Sequence, residues 1–253
     1  LEFGRTEVIE LLLDRGVNAQ DVGDVDGATA LHIAAATSST EVVNLLVSRG
    51  VDPRQQRKAD GMTPLHVAAG AGQHSVIASL LACSAEPDAR TLSGETPLHV
   101  ATDLGQIDSL AALLRGKADP EVPDDSGQTP LHVAVRVGRT DLIELLSESN
   151  ANPNARTADK STVYHVAART SHVGMVTFLV KIGADLRLLD SQGASPLHAA
   201  ASAGSLVSLR ELLGLARLDV NLQTRKGLTP LHVAVAPDAG VKASEVAEVV
   251  QAL

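Results

Sequence analysis

Thr63-Pro64-Leu65-His66-Val67-Ala68 decides the fold, because the chain repeats it. The same six residue types recur at Thr96–Ala101, Thr129–Ala134 and Thr229–Ala234. Looser copies stand at Thr29-Ala30-Leu31-His32, Thr162-Val163-Tyr164-His165 and Ser195-Pro196-Leu197-His198. Steps between the box histidines are 34, 33, 33, 33, 33 and 34 residues. A fixed period of that size marks a repeat architecture, in which each unit is one supersecondary element.

Outward from the box, the surroundings repeat too. A glycine lies five residues before the histidine at Gly27, Gly61, Gly94, Gly127, Gly193 and Gly227, with Lys160 in the remaining copy. Another follows six residues after it at Gly72, Gly105, Gly138 and Gly204. Small residues such as Val67-Ala68-Ala69-Gly70 come next to the box, then a second apolar stretch such as Leu142-Ile143-Glu144-Leu145-Leu146. The pattern reads as turn, helix, loop, helix. The box Thr caps the first helix, and Pro fits its first position, where a missing N–H costs nothing. The second helix carries one apolar face. Such a pair buries that face only by stacking on its neighbours.

The box at this period resembles the ankyrin repeat. The resemblance implies an all-α, ankyrin-repeat solenoid of stacked helix–loop–helix units with projecting hairpin-like loops, the loops and first helices together forming a concave face. The expected divisions are a partial repeat at 1–26, full repeats at 27–60, 61–93, 94–126, 127–159, 160–192 and 193–226, and a last repeat at 227–253. Glu7 to Gly16 reads as the second helix of an earlier repeat and Leu253 falls inside a second helix, so the chain is expected to be a piece of a longer array. The fifth box departs most, with Lys160, Val163, Tyr164 and Ser171 at positions that hold Gly, Pro, Leu and Gly elsewhere. The loop Pro237-Asp238-Ala239-Gly240 lengthens the last repeat.

Composition narrows the function. Of 253 residues only Phe3, Phe178 and Tyr164 are aromatic, and the net charge is −9. Nucleic-acid binders need a basic surface or stacking rings, so that class is not expected. Cys83 is the single cysteine and no N-x-Ser/Thr sequon occurs, which together point to a reducing, intracellular compartment, cytoplasmic or nuclear. No apolar run is long enough to span a bilayer. Phosphate-loop, H-E-x-x-H and G-x-S-x-G signatures are absent, so no catalytic residue, cofactor or metal site is expected. The box histidines come one per repeat and are read as structural, with His74 and His172 on the surface and Cys83 as a small buried residue at a helix end.

The expected function is a non-catalytic protein–protein interaction scaffold. Ankyrin stacks differ from one another at the loop tips and the exposed side of the first helix. That resemblance maps onto Met62, Leu92, Glu95, Asp103, Leu104, Asp125, Gln128, Arg136, Val137 and Arg169. Leu92, Leu104 and Val137 are apolar where water is expected, edged by acidic residues, and a partner with a basic-apolar segment would complement them. The isolated chain is expected to be a monomer. Loops are unevenly charged: Asp119, Glu121, Asp124 and Asp125 make one acidic, while Arg54, Arg57 and Lys58, and Arg217, Arg225 and Lys226, make two basic. Two alternatives compete: an inhibitor of transcription factors like the IκB proteins, or an assembly module of a larger channel or multidomain enzyme. Asn221, and less fully Asn154, resemble the ankyrin asparagine that a hydroxylase modifies.

Overall fold

The structure is a computed structural model that describes residues 3–20, 25–37, 39–215 and 218–235, with side chains from Thr6 onwards. Arg217, the loop at Pro237 to Gly240 and the chain end at Leu253 lie outside the described residues. The chain divides into two compact units, Leu1–Asp125 and Ser126–Leu253. The described residues are helical, joined by turns, with no extended strand.

The first unit holds α1 (Phe3–Asp14), α2 (Ala30–Ala36), α3 (Thr40–Ser48), α4 (Pro64–Gly70), α5 (His74–Ala82), α6 (Pro97–Asp103) and α7 (Ile107–Arg115). The box helices α2, α4 and α6 stack in one row, and α1, α3, α5 and α7 stack in a second behind them. The second unit holds α8 (Pro130–Val137), α9 (Thr140–Glu148), α10 (Val163–Arg169), α11 (Met175–Lys181), α12 (Pro196–Ala203), α13 (Leu206–Gly214) and α14 (Pro230–Val235). There α8, α10, α12 and α14 form the box row, with α9 behind α8 and α11 and α13 packed together behind α10 and α12. The core layers are built from aliphatic side chains, with the buried Tyr164 ring as the exception. Leu65, Ala68, Ala69, Ile77 and Leu80 are fully buried in one repeat, and Leu131, Ala134, Val135, Leu142, Ile143 and Leu146 in another. Short residues in the first helix let neighbouring repeats approach closely, which is why rings are not needed to fill the stack.

Capping follows the sequence. Thr63 is extended (φ −89°, ψ 167°), its hydroxyl accepts from the His66 backbone N–H, and Pro64 opens the helix. The same capping box recurs at Thr29, Thr96, Thr129, Thr162 and Ser195. The glycine before the box is required at Gly127, where φ is +81° and an added Cβ would lie 2.4 Å from the Ala158 nitrogen. Lys160, at the same register one repeat later, adopts φ +63° despite its side chain.

The fifth repeat shows what losing the later glycine does, Ser171 standing in its place. α8 and α12 end on left-handed glycines, Gly138 and Gly204, whereas α10 ends on Thr170 in an extended conformation. The sixth repeat supplies the missing partners. Ser205 and Ser208 hydroxyls donate to the Thr170 carbonyl at 3.1 and 2.6 Å, and Ser208 also reaches the Ala167 carbonyl at 3.1 Å. Glu211 accepts from the backbone N–H of Gly174 at 2.6 Å and of Val176 at 3.2 Å, capping α11 from outside its own repeat.

Candidate functional site

The loop residues expected to meet a partner are held by the box histidines. The Thr63 backbone N–H lies 3.1 Å from His66 Nδ1, and a backbone N–H can only donate. Nδ1 therefore accepts, the Thr63 hydroxyl at 2.9 Å also donates to it, and the ring proton sits on Nε2. Nε2 donates to the Glu95 carbonyl, 3.1 Å away in the hairpin of the next repeat. That carbonyl accepts a second bond from the Thr91 N–H at 2.9 Å, which closes the hairpin itself. His32 does the same to Met62, His165 to Ala194 and His198 to Leu228, each at 3.0 Å. Burial pushes His66 down to about 4 and lowers His165 and His198 as well, so these rings are neutral. Their role is the structural one expected. Among the described residues no group of three or more His, Cys, Asp or Glu could hold a metal ion.

Hairpin tips are also tied backbone to backbone. The Leu92 N–H donates to the Asp60 carbonyl at 2.9 Å and the Asp125 N–H to the Ser93 carbonyl at 3.1 Å in the first unit. In the second unit Ala158 bonds Ser126 at 2.9 Å and Arg225 bonds Gln192 at 2.8 Å. The loops thus present side chains from a fixed frame.

In the first unit, Leu92 is 68% and Leu104 58% exposed, and Asp103 and Asp125 are exposed beside half-buried Met62 and Glu95. Asp125 is not a free charge: it pairs with Arg90 at 2.8 Å. Two of the three cations in the basic loop before the second box are likewise paired from within, Arg54 with Asp52 at 3.2 Å and Arg57 with Asp60. Glu95 accepts from the Ser93 hydroxyl at 2.8 Å.

In the second unit, Gln128, Arg136 and Arg169 come together in a cleft of about 620 Å³ whose walls include Asp159, Ser161 and Val166. Val137, half-buried, is not among its lining residues. Apart from Arg169, sequence reasoning missed the wall of this cleft that runs from Thr157 to Thr170. Ser161 stands at the register of Gln128, Ala158 at that of Asp125 and Thr170 at that of Val137. Carrying the register through the irregular repeat would have found them. Two smaller expectations need correction. Cys83 is half-buried, with Sγ 3.8 Å from Asn44 Oδ1, because it caps α5 instead of facing the core. His172 is half-buried and structural, its Nε2 donating to the Arg136 carbonyl at 3.0 Å, whereas His74 is exposed.

A family model described as ankyrin repeats (3 copies) matches residues 1–57, 39–124, 111–190 and 165–249. The chain belongs to the ankyrin-repeat family. Ankyrin repeats are a protein-interaction module, and the fold is generally a non-catalytic interaction scaffold. The crystal structure of the ankyrin repeat domain of Bcl-3, described as a unique member of the IkappaB protein family, matches with a TM-score of 0.72 at 28% identity, covering 89% of this chain and 99% of that one. The probable 26S proteasome regulatory subunit p28 of Saccharomyces cerevisiae is 43% identical over 61 residues, 24% of this chain and 27% of that protein. The match spans about a quarter of that relative's length. Among the described residues no helix is long and apolar enough to cross a membrane.

Proposed function

We propose that this ankyrin chain is a non-catalytic scaffold that binds another protein through its hairpin loops and the exposed side of its first helices. The observation that carries this reading is the second-unit cleft, which gathers Gln128, Arg136 and Arg169 on a frame held by capped helices and paired hairpins. Rigid surfaces lose less entropy on binding. In the first unit the proposed contacts are Met62, Leu92, Glu95, Asp103, Leu104 and Asp125, with exposed Leu92 and Leu104 as apolar anchors. Val137 completes the proposed set. No residue is assigned a catalytic, cofactor or metal role, and the proposed compartment is intracellular.

The test is selection of binders from a displayed library on the whole chain, followed by surface variants. Leu92→Ala with Leu104→Ala, and separately Arg136→Gln with Arg169→Gln, are expected to weaken selected binders while leaving the melting temperature unchanged. Binders that survive both pairs would move the site to the outer face of the second helices or to the loop at Pro237 to Gly240.

Likeness to the Bcl-3 domain supports a second reading, an IκB-like inhibitor of transcription factors, and the p28 match an assembly role in a larger complex. A gel-shift assay with a Rel-type dimer on DNA separates them: displacement by the chain supports the first and no displacement removes it. Asparagine hydroxylation is proposed for Asn221, whose side chain is exposed. Asn154 is the weaker acceptor, since its Oδ1 already takes the Asp185 backbone N–H at 2.6 Å.

A further inference from the structure

We infer that the hairpin edge of the second unit, from the turn at Lys160 to the turn at Lys226, binds an extended acidic segment of a partner protein that carries one aliphatic side chain for Leu228. This rests on the protein-binding reading above and names the chemistry of the partner along one edge.

Lys160 carries the argument. The six other boxes keep glycine at this register, at φ between +74° and +87°. Lys160 takes the same left-handed conformation at φ +63°, which costs an L-residue free energy that glycine is spared. Its side chain is exposed and, among the described residues, makes no ion pair. Nothing inside the fold is gained by a lysine here. Backbone strain retained without a structural return is a mark of a functional position.

Lys160 stands at one end of a row. The Asp159 carbonyl accepts from the Ser191 N–H at 2.7 Å, and the Gln192 carbonyl accepts from the Arg225 N–H at 2.8 Å. Three successive turns are thereby tied side by side, with Arg225 and Lys226 at the far end. Two backbone hydrogen bonds and one peptide link separate the ends, a span that about five or six extended residues cover at roughly 3.3 Å each. Arg156 adds a fourth cation, its guanidinium donating to the Lys160 carbonyl at 3.3 Å and to the Leu189 carbonyl of the next hairpin. Leu228, 38% exposed, lies two residues beyond Lys226. Its N–H donates to the Thr224 hydroxyl at 3.2 Å, and its carbonyl accepts from the Thr224 N–H at 2.9 Å and from His198 Nε2 at 3.0 Å. An apolar side chain is thus offered from a fixed backbone beside the cations.

The acids of this edge serve its turns. Asp159 accepts from the Thr157 hydroxyl, the Ser161 N–H at 3.1 Å and the Ser161 hydroxyl at 3.0 Å, and Asp190 from the Gln192 and Ala194 N–H groups, both at 2.8 Å. Four cations against two acids leave the edge at +2, in a chain of net charge −9. Elsewhere exposed arginines are paired close by, Arg54 with Asp52, Arg90 with Asp125 and Arg187 with Asp185. Among the described residues Arg225 and Lys226 are in no ion pair. Carboxylates spaced along an extended strand complement such a row, and complementarity of this kind sets partner choice and on-rate. A nucleic acid fits less well, since this edge offers no ring for a base to stack on. The partner chemistry is the reverse of the basic-apolar segment expected from the acidic residues of the first unit.

The experiment is selection of displayed random 12-residue peptides on the immobilised full chain, with enriched clones resynthesised and measured by fluorescence anisotropy at low and high salt. Clones are expected to carry several Asp or Glu within about six residues, next to Leu, Ile or Val, and to weaken as salt rises. Lys160→Gly should weaken them about fivefold, the upper range for one exposed charge pair, while its melting temperature rises. Lys160→Arg, which keeps the charge, should restore binding. Arg225→Gln with Lys226→Gln should weaken them about tenfold or more, and Leu228→Ala should weaken them without changing the salt dependence. A loss of affinity in the variant that gains stability is a result no purely structural lysine gives. Neutral or basic consensus peptides, acidic clones indifferent to Lys160→Gly and to the Arg225 and Lys226 changes, or equal binding of an oligothymidylate would each overturn the inference. Clones lost on Leu92→Ala with Leu104→Ala but not on the edge changes would overturn it and leave the scaffold reading standing. No enriched clone at all would refute both.

Discussion

His66 and Glu95 are joined across a repeat boundary by a part-buried hydrogen bond, Nε2 to carbonyl at 3.1 Å. One side chain thereby fixes two things: the cap of its own helix through Thr63 and the hairpin of the following repeat. His66→Ala removes the imidazole's bonds to Thr63 and to Glu95, leaving only the backbone part of the cap, and opens a cavity in a fully buried layer. A buried group left without its partner costs about 1–3 kcal/mol, and the lost packing adds to that, so a destabilisation of about 3 kcal/mol or more is expected. Urea unfolding measures it. Because repeats couple mainly to their neighbours, hydrogen exchange should accelerate most around Thr63 and Glu95. Uniform acceleration along the chain would contradict the clamp.

Acid should loosen the same clamp. His66 is held at about 4 chiefly by burial, against an ordinary value near 6.5, and burial lowers His165 and His198 in the same direction. The unfolded chain therefore binds protons between those limits that the folded chain refuses. Stability is complete above pH 6.5 and falls progressively as the pH drops towards 4. For His66 alone the loss is on the order of 3 kcal/mol. Urea midpoints at pH 7.5, 6 and 5 should fall in that order, and a flat profile would show that the rings protonate without cost.

How the stack forms was legible in the residues themselves. Box, glycine and apolar face fixed the helix pairs because each rests on a local rule of capping or periodicity. Charge was less legible. Arg54, Arg57 and Asp125 looked free in sequence, yet their ion-pair partners Asp52, Asp60 and Arg90 are set by loop geometry that charge alone does not report. The cleft was half visible, since Gln128, Arg136 and Arg169 follow from register, but Val166 lies in the repeat with the broken box and Asp159 in the loop just before it. Ser205, Ser208 and Glu211 compensate for Ser171 from the neighbouring repeat, a relation between units that no single repeat's sequence carries.

Ser208→Ala tests that compensation. The hydroxyl donates to the Thr170 and Ala167 carbonyls in a fully buried setting. Removing it should cost about 1–3 kcal/mol, read as a lower melting temperature. A variant as stable as the parent would mean α10 finds another ending without help from α13.

Lys160→Gly should stabilise the chain. A left-handed conformation costs an L-residue roughly 1–2 kcal/mol, and the glycine entropy penalty of about 0.5–1 kcal/mol offsets part of it. A net gain of about 0.5–1 kcal/mol remains, with no packing lost because the Lys160 side chain is exposed. Gly127→Ala at the equivalent position should do the opposite, since its Cβ would strike the Ala158 backbone nitrogen. Equal effects from the two changes would contradict the register.

Tyr164 takes the place of a box leucine and is 1% exposed, yet its hydroxyl has no hydrogen-bond partner among the described residues. Burial, with a smaller contribution from the Asp185 charge, pushes its ionisation up to about 12, so the phenol is neutral at any working pH. A buried hydroxyl without a partner costs about 1–3 kcal/mol by mutational measure. Tyr164→Phe keeps the ring and removes that cost, so stability should rise by about 1 kcal/mol or more. Tyr164→Leu restores the repeat's usual residue but gives up ring volume in a close-packed layer, and the cavity should cancel the gain. The ordering Phe above Tyr, with Leu no better than Tyr, is the result to look for in urea titrations. A Phe variant less stable than the parent would mean the hydroxyl is hydrogen-bonded in solution. Because the ring is buried in α10 while Arg169 ends that helix at the surface, peptides that depend on the cleft should bind the Phe variant unchanged, separating the cost of the core from the function of the face.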